Sequence, residues 1–247
     1  MGKGTHRALD RCTYLARRNR YVLQCDVRQF FPSIDHQIVR SVLSHPIADQ
    51  QVMWLIDRIL ESGVGVLFEE YQMRWFPGDD LLAAVRPRGL PIGNLTSQFW
   101  ANCYLNELDQ FVKRELKAAC YVRYVDDFLL FSEDKRELRR WRGEIIAFLR
   151  TLRLTLHEER VQVRPVAEGV PFLGFVVYPA HRRLKRRAGL AYRRRLRRLV
   201  QDYGAGRAQL ADVAASVQGW VNHTRYGDTW GLRRALFSEV RIPGGMK

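Results

Sequence analysis

Apolar positions along the chain fall into two periods, and the switch between them marks the expected elements. Residues 5–20 place Leu9, Cys12, Leu15 and Ala16 on one face at helical spacing among basic residues. Residues 21–27, YVLQCDV, form a short apolar run suited to a buried strand. Phe30-Phe31-Pro32 ends that strand, because the residue before a proline avoids helical geometry. Ser33 is then the expected cap of a helix reaching about residue 44, with Ile34, Ile38, Val39 and Val42 as its apolar stripe. A second amphipathic helix is expected over 48–61 (Val52, Leu55, Ile56, Ile59, Leu60), followed by an irregular, Gly/Pro-rich and charged stretch over 62–93. The clearest helix spans 97–117, with Trp100, Tyr104, Leu108, Phe111 and Val112 along one side.

Residues 121–131, YVRYVDDFLLF, carry two aromatic, β-rich runs around Asp126-Asp127 and read as a hairpin with two acids at its tip. Beyond it, 134–152 is a basic helix, 153–157, 160–164 and 172–178 are strand-like, 191–201 is an arginine-rich helix and 206–220 a shorter one. There is no internal repeat and no low-complexity linker. Helices interleaved with antiparallel strands give the fold class α+β.

Composition changes this picture mainly through charge. The 247 residues are 47% hydrophobic and 27% charged, which excludes a disordered or collagen-like chain. Nothing approaches the ~18 apolar residues of a membrane span, and the first twenty residues lack the apolar core of a secretory signal. The four scattered cysteines, Cys12, Cys25, Cys103 and Cys120, contain no C-x-x-C pair and suit reduced, mostly buried thiols. A cytoplasmic protein with no membrane partner is the expectation. The net charge of +15 is unevenly spread: residues 1–20 carry +5, 21–180 carry −2, and 181–247 carry 16 basic against 4 acidic residues, or +12. A near-neutral body with a cationic tail points to a polyanionic partner, nucleic acid first, rather than to solubility alone.

The acids of the body supply the candidate chemistry. Two carboxylates held side by side repel unless a cation stands between them. A hard divalent cation, which prefers oxygen ligands, is the natural reason to build such a pair; the alternative is a solvated turn. Asp26, at the end of the first strand, is the candidate third acid. Three carboxylates on two adjacent strands suit two Mg²⁺ ions bridging phosphate oxygens.

Four motifs in order resemble the reverse transcriptase family, in the bacterial form related to group II introns. YVDD at 124–127 matches the family's Y-x-D-D motif, and CDVRQFFPSIDH at 25–36 resembles its first catalytic motif. RGLPIGNLTSQFWANCYLNELD at 88–109 is similar to the loop and helix between the two, and FLGF at 172–175 to the primer-grip hairpin. IGNLTSQ at 92–98 stands where most members have Q-G-x-x-x-S-P, a variant similar to diversity-generating retroelement enzymes, which copy a template RNA with errors at adenine.

The resemblance implies a polymerase right hand. Residues 21–180 would be the palm, an antiparallel sheet with packed helices and the primer-grip hairpin; 181–247 a helical basic thumb; and 1–20 the remnant of fingers that are otherwise mostly absent. It implies Asp26, Asp126 and Asp127 as catalytic metal ligands, with the Val27 carbonyl as a further oxygen. Arg28, Gln29, Phe30, Phe31, Gly93, Gln98 and Arg160 would line the nucleotide site. Phe31, five residues after Asp26, would be the gate that excludes a ribose 2′-OH, with Phe30 as the alternative gate and core packing as the other role. Gly93 would allow close approach of the nucleotide, and Gln98 would bond near the templating pair or cap its helix. Arg160 stands where the family usually has a lysine; an arginine does not readily release a proton, so electrostatic stabilisation or a plain surface position is expected. Phe172, Leu173 and Gly174 would form the primer grip. Arg182, Arg183, Lys185, Arg186, Arg187, Arg193, Arg194, Arg197 and Arg198 would contact the duplex backbone, with Leu190, Tyr192, Leu196 and Leu199 as the buried side.

The implied activity is RNA-directed DNA synthesis with an RNA template, a DNA or RNA primer, dNTPs and two Mg²⁺. Lys3, Arg7 and Arg11 would take over part of the triphosphate grip, or an accessory protein or second chain would supply the missing fingers. The competing readings are a non-catalytic nucleic-acid-binding relative and an RNA-directed RNA polymerase.

Overall fold

The computed structural model describes residues 4–159 and 161–240. In chain order the helices and strands are α1 (Thr5–Ala16), β1 (Tyr21–Asp26), α2 (Phe30–Ser33), α3 (His36–Ser44), α4 (Gln50–Ser62), α5 (Leu95–Gln110), β2 (Tyr121–Tyr124), β3 (Asp127–Ser132), α6 (Lys135–Thr151), β4 (Val163–Pro165), β5 (Val170–Phe172), β6 (Phe175–Val177), β7 (Arg182–Leu184), α7 (Arg186–Gly204), α8 (Leu210–Thr224) and α9 (Trp230–Glu239). The mixed helix-and-sheet class expected from the sequence is the one observed. No described helix is long and apolar enough to cross a membrane.

The chain folds as two compact units, residues 19–164 and the described parts of 1–18 and 165–247. The first holds a four-stranded sheet in the order β2-β3-β1-β4. β1 and β3 form its centre, and Leu23, Cys25, Phe128, Leu129 and Leu130 are fully buried, as the unbroken apolar runs foretold. Helix α5 lays Trp100, Tyr104 and Leu108 into the same core. The Tyr104 hydroxyl, deep in apolar surroundings, donates to the Leu152 carbonyl at 2.6 Å, as a buried phenol must.

Aspartates start three of these helices. The side chain of Asp35 accepts from the amides of Gln37 and Ile38, that of Asp49 from Gln51 and Val52, and that of Asp134 from Arg136. Asp35, not Ser33, is therefore the cap of the 36–44 helix, and Ser33 lies inside α2. Arg86 clamps the same carboxylate at 2.7 and 3.0 Å, tying the 62–93 stretch to α3. That stretch is irregular as expected, with two 3-10 turns at Phe68–Glu70 and Leu81–Val85. The expected strand at 153–157 is not formed. Arg153 takes a positive φ of 53° and only Leu156 makes an isolated bridge, to Val27. Arg160, and with it the expectation placed there, lies outside the described residues.

In the second unit β5, β6 and β7 form an antiparallel sheet. The single strand expected over 172–178 is a hairpin, turning at Leu173-Gly174 with φ of 45° and 86° and pairing Phe172 with Phe175. Two positive φ values match the right-handed twist of the strands they join. Helix α1 packs on this sheet, and Arg182 locks it by donating to Asp10 at 2.7 Å and to Thr13 Oγ1 at 2.6 Å. The hairpin falls in the same compact unit as α1 and the C-terminal helices, the described parts of 1–18 and 165–247. Gly227 lets that corner close: a Cβ there would sit 2.8 Å from the Phe175 ring and 3.2 Å from the Arg182 carbonyl. Helices α7–α9 have their own core of Tyr192, Leu196, Val200, Val213, Trp220 and Leu236. Tyr192 stacks on Trp220 at 4.3 Å and Phe237 meets Trp220 edge-on. Leu190, expected inside, is 43% exposed.

Candidate active site

The register of β1 against β3 puts Asp26 opposite Asp127, the last pair of that ladder. β2 and β3 are joined by the two-residue turn Val125-Asp126, with Tyr124 opposite Asp127. The Val27 amide donates to the Asp126 carbonyl at 3.3 Å, and the His157 amide to the Asp26 carbonyl at 3.0 Å. Two strand ends and one turn therefore deliver three acids to one end of the sheet.

The turn is strained. Val125 has φ = 57°, a region a β-branched residue adopts only when its surroundings over-determine it. A neighbouring brace supplies that constraint. Arg123 of β2 donates to the Val125 carbonyl at 2.9 Å and, through two nitrogens, to the Asp109 carboxylate of α5 at 2.8 and 2.7 Å. The Tyr121 hydroxyl donates to the same carboxylate at 2.8 Å. Burial, then the Asp109 charge, push the Tyr121 phenol well above its ordinary value. Asp109 and Arg123 are thus positioning residues that the motif reading passed over. The signal was present: Asp109 closes the 88–109 motif, and an arginine inside an apolar strand requires a partner.

The electrostatics are those of crowded acids. Burial and the Asp26 charge raise the Asp126 carboxyl above its usual range. The Cys25 thiol is pushed up by burial, by Asp127 and by Asp26. Among the described residues no three His, Cys, Asp or Glu side chains gather as a metal-ligand set; register and mutual repulsion, rather than a closed cage, relate the three acids. The donor set is nevertheless all oxygen and anionic, and Asp126 would be relieved by positive charge, so a hard divalent cation fits it.

The residues after β1 are sorted by the short helix α2, so Phe31 is helical although it precedes Pro32, where helical geometry was expected to be avoided. Phe30 is 3% exposed and belongs to the core; Phe31 is half-buried, packs against that core, and meets Phe30 edge-on. Arg28 donates to the Gln72 side chain at 2.5 Å. Gln29, left-handed at φ = 46°, pairs its amide with the backbone of Glu70 and Gln72. Gly93 has φ = 110°, a backbone conformation that only glycine adopts without strain, and nothing stands within 4 Å of where a Cβ would be. Gln98 is exposed in the first turn of α5, beside exposed Leu95 and Phe99.

In the other unit, Phe172 is fully buried and Leu173 and Gly174 form the hairpin turn. Of the basic residues expected on a duplex, Arg183, Lys185, Arg186, Arg187, Arg194, Arg197 and Arg198 are exposed. Arg182 is corrected: its guanidinium holds α1 to the sheet. Arg193 and Arg197 both pair with Glu239 of α9.

Two acids face each other at the end of an antiparallel sheet with a third in the strained adjoining turn, and residues 2–177 match the family described as reverse transcriptase (RNA-dependent DNA polymerase). The chain belongs to that family, whose enzyme class is nucleotidyltransferase. It is 24% identical over 207 residues to Protein YkfC of Escherichia coli (strain K12), covering 69% of this chain and 49% of that protein. The chain thus spans about half the length of this relative. Among solved structures it is similar to apo telomerase from Candida tropicalis (11% identity, TM-score 0.47, 72% of this chain and 36% of that one) and to telomerase from Candida albicans in complex with a TWJ fragment of telomeric RNA (12% identity, TM-score 0.49, 95% and 43%).

Proposed function

We propose that this chain is an RNA-directed DNA polymerase that adds dNTPs to a primer 3′ end on an RNA template, and that its chemistry is centred on Asp26, Asp126 and Asp127. The observation that carries the reading is the Asp26–Asp127 register with Asp126 in the adjoining turn, inside the family match. In this reading residues 19–164 are the palm, and α7–α9 the thumb. Asp26, Asp126, Asp127 and the Val27 carbonyl would hold two Mg²⁺, which would supply positive charge for the triphosphate and the primer hydroxyl. The protein's own part is positional. The ladder fixes Asp26 against Asp127, and the Asp109–Arg123 brace fixes the turn that carries Asp126. The 92–98 variant supports a diversity-generating retroelement type, and with it error-prone copying.

The test is primer extension on matched RNA and DNA templates, with dNTPs or NTPs and Mg²⁺. Extension on RNA with dNTPs is expected. Extension with NTPs alone would favour an RNA-directed RNA polymerase, and none at all a binding relative.

Sugar choice is read from Phe31. Phe31→Ala is expected to raise ribonucleotide use relative to dNTP use on the order of tenfold, the effect of removing a ~1.4 kcal/mol clash. Phe30→Ala, in the core, is expected to cost about 3–5 kcal/mol of stability and leave the ratio unchanged. The ratio of the two incorporations, with melting temperatures, separates the roles.

Duplex contact is read from salt. Neutralising Arg194 and Arg198 is expected to weaken duplex binding uniformly across sequences and to flatten log K against log salt by about 0.9 per lost contact. Neutralising Arg193 and Arg197 is expected to do less, because Glu239 already offsets them. Equal slopes in all variants would place the α7 charges away from phosphate.

A further inference from the structure

Helix α1 has two faces, and the three acids of the proposed metal site lie on neither. Its inner face buries Leu9, Cys12, Thr13, Leu15 and Ala16. Its outer face carries Arg7, Arg11, Tyr14 and, one turn further, Arg18, all exposed. The spacing of four, three and four residues keeps them in one stripe. Tyr14 is 44% exposed. The Arg18 guanidinium lies 4.4 Å and that of Arg11 5.4 Å from the centre of its ring. Asp10, the acid on this helix, pairs with Arg182 at 2.7 Å.

We propose that this face of α1 binds single-stranded nucleic acid, with Tyr14 as the stacking platform and Arg7, Arg11 and Arg18 as the phosphate contacts. A surface helix built for solubility alternates charges of both signs and leaves few rings exposed. Aromatic rings interleaved with arginines are what an unpaired strand requires. Every base has a π-face, guanidinium planes also stack on bases, and the backbone supplies regularly spaced anions. A duplex covers the faces of its own bases and can use only the charges. RNA and DNA share the base and the phosphate, so both are expected to bind.

The test uses the full chain and the fluorescence anisotropy of labelled 12-nucleotide oligo(U), oligo(dT) and a 12-base-pair duplex, without dNTPs. It is repeated in a chain carrying Arg194→Gln and Arg198→Gln, so that α7 does not mask α1. Tyr14→Ala is expected to weaken both single strands about fivefold or more, with the salt slope, duplex affinity and melting temperature unchanged. Tyr14→Phe is expected to bind like the parent. Arg11→Gln with Arg18→Gln is expected to flatten the single-strand slope by about 1.4, or roughly 0.7 per phosphate. An unchanged single-strand affinity in Tyr14→Ala, or an equal loss for strand and duplex, would overturn the proposal. So would displacement of oligo(U) by polyglutamate with no dependence on Tyr14, which would give the stripe to an acidic polypeptide. These outcomes are independent of polymerase activity, so failure here leaves the catalytic reading to its own test.

Discussion

Asp126→Asn is expected to lower primer extension by about a thousandfold or more, the loss of ~4 kcal/mol of transition-state charge stabilisation, while duplex binding stays close to that of the parent. The side chain keeps its shape and loses its charge. The fold is expected to tolerate this well. Burial and Asp26 both disfavour the ionised Asp126, so a neutral isostere removes a repulsion and leaves the melting temperature equal or higher. Single-turnover extension, anisotropy and thermal melting on one preparation read all three. A variant that extends primers normally would show that Asp126 has no part in the chemistry. One that also loses duplex binding and melts early would show that the site is structural.

Asp109→Ala is expected to fail differently, by unfolding. It leaves the Arg123 guanidinium, whose side chain is 10% exposed, and the half-buried Tyr121 hydroxyl without their shared acceptor. Breaking a buried pair from one side costs about 3–5 kcal/mol, because the remaining charge stays desolvated. The same change frees the Val125 carbonyl from a fixed donor and lets the strained turn relax, so extension falls even at temperatures where the chain is folded. Asp109→Asn retains an acceptor and is expected to recover part of both losses. Denaturant unfolding of the two variants, beside their extension rates at low temperature, checks this. Equal stability of Asp109→Ala and the parent would mean that the brace contributes nothing.

The sequence was most readable where burial and hydrogen-bonding agree with local preference. The apolar runs of β1 and β3, the 3.6-residue stripe of α5 and the hairpin around Asp126-Asp127 are all visible as patterns. Ser33 and Asp35 are both good caps two residues apart, and the Arg86 clamp on the Asp35 carboxylate comes from 51 residues away. Val125 hides the turn it makes: a β-branched residue at positive φ contradicts its own propensity, and the Arg123–Asp109 brace that enforces it crosses two elements. Arg182 read as one more basic residue in a cationic tail because its partners Asp10 and Thr13 come from the other end of the chain. Charge counts show that a segment is cationic; they do not show which arginines a fold keeps for itself.

The central claim is that Asp26 and the Val125-Asp126 turn hold the metal ions of a polymerase. Fe²⁺ placed in the full chain with primer, RNA template and the next dNTP, then exposed to ascorbate and peroxide, cuts the backbone beside the ion. Cleavage is expected at the end of β1 and at residues 124–127, lost on adding excess Mg²⁺ and absent in Asp26→Asn. Cleavage confined to other segments, or unchanged in Asp26→Asn, would contradict it.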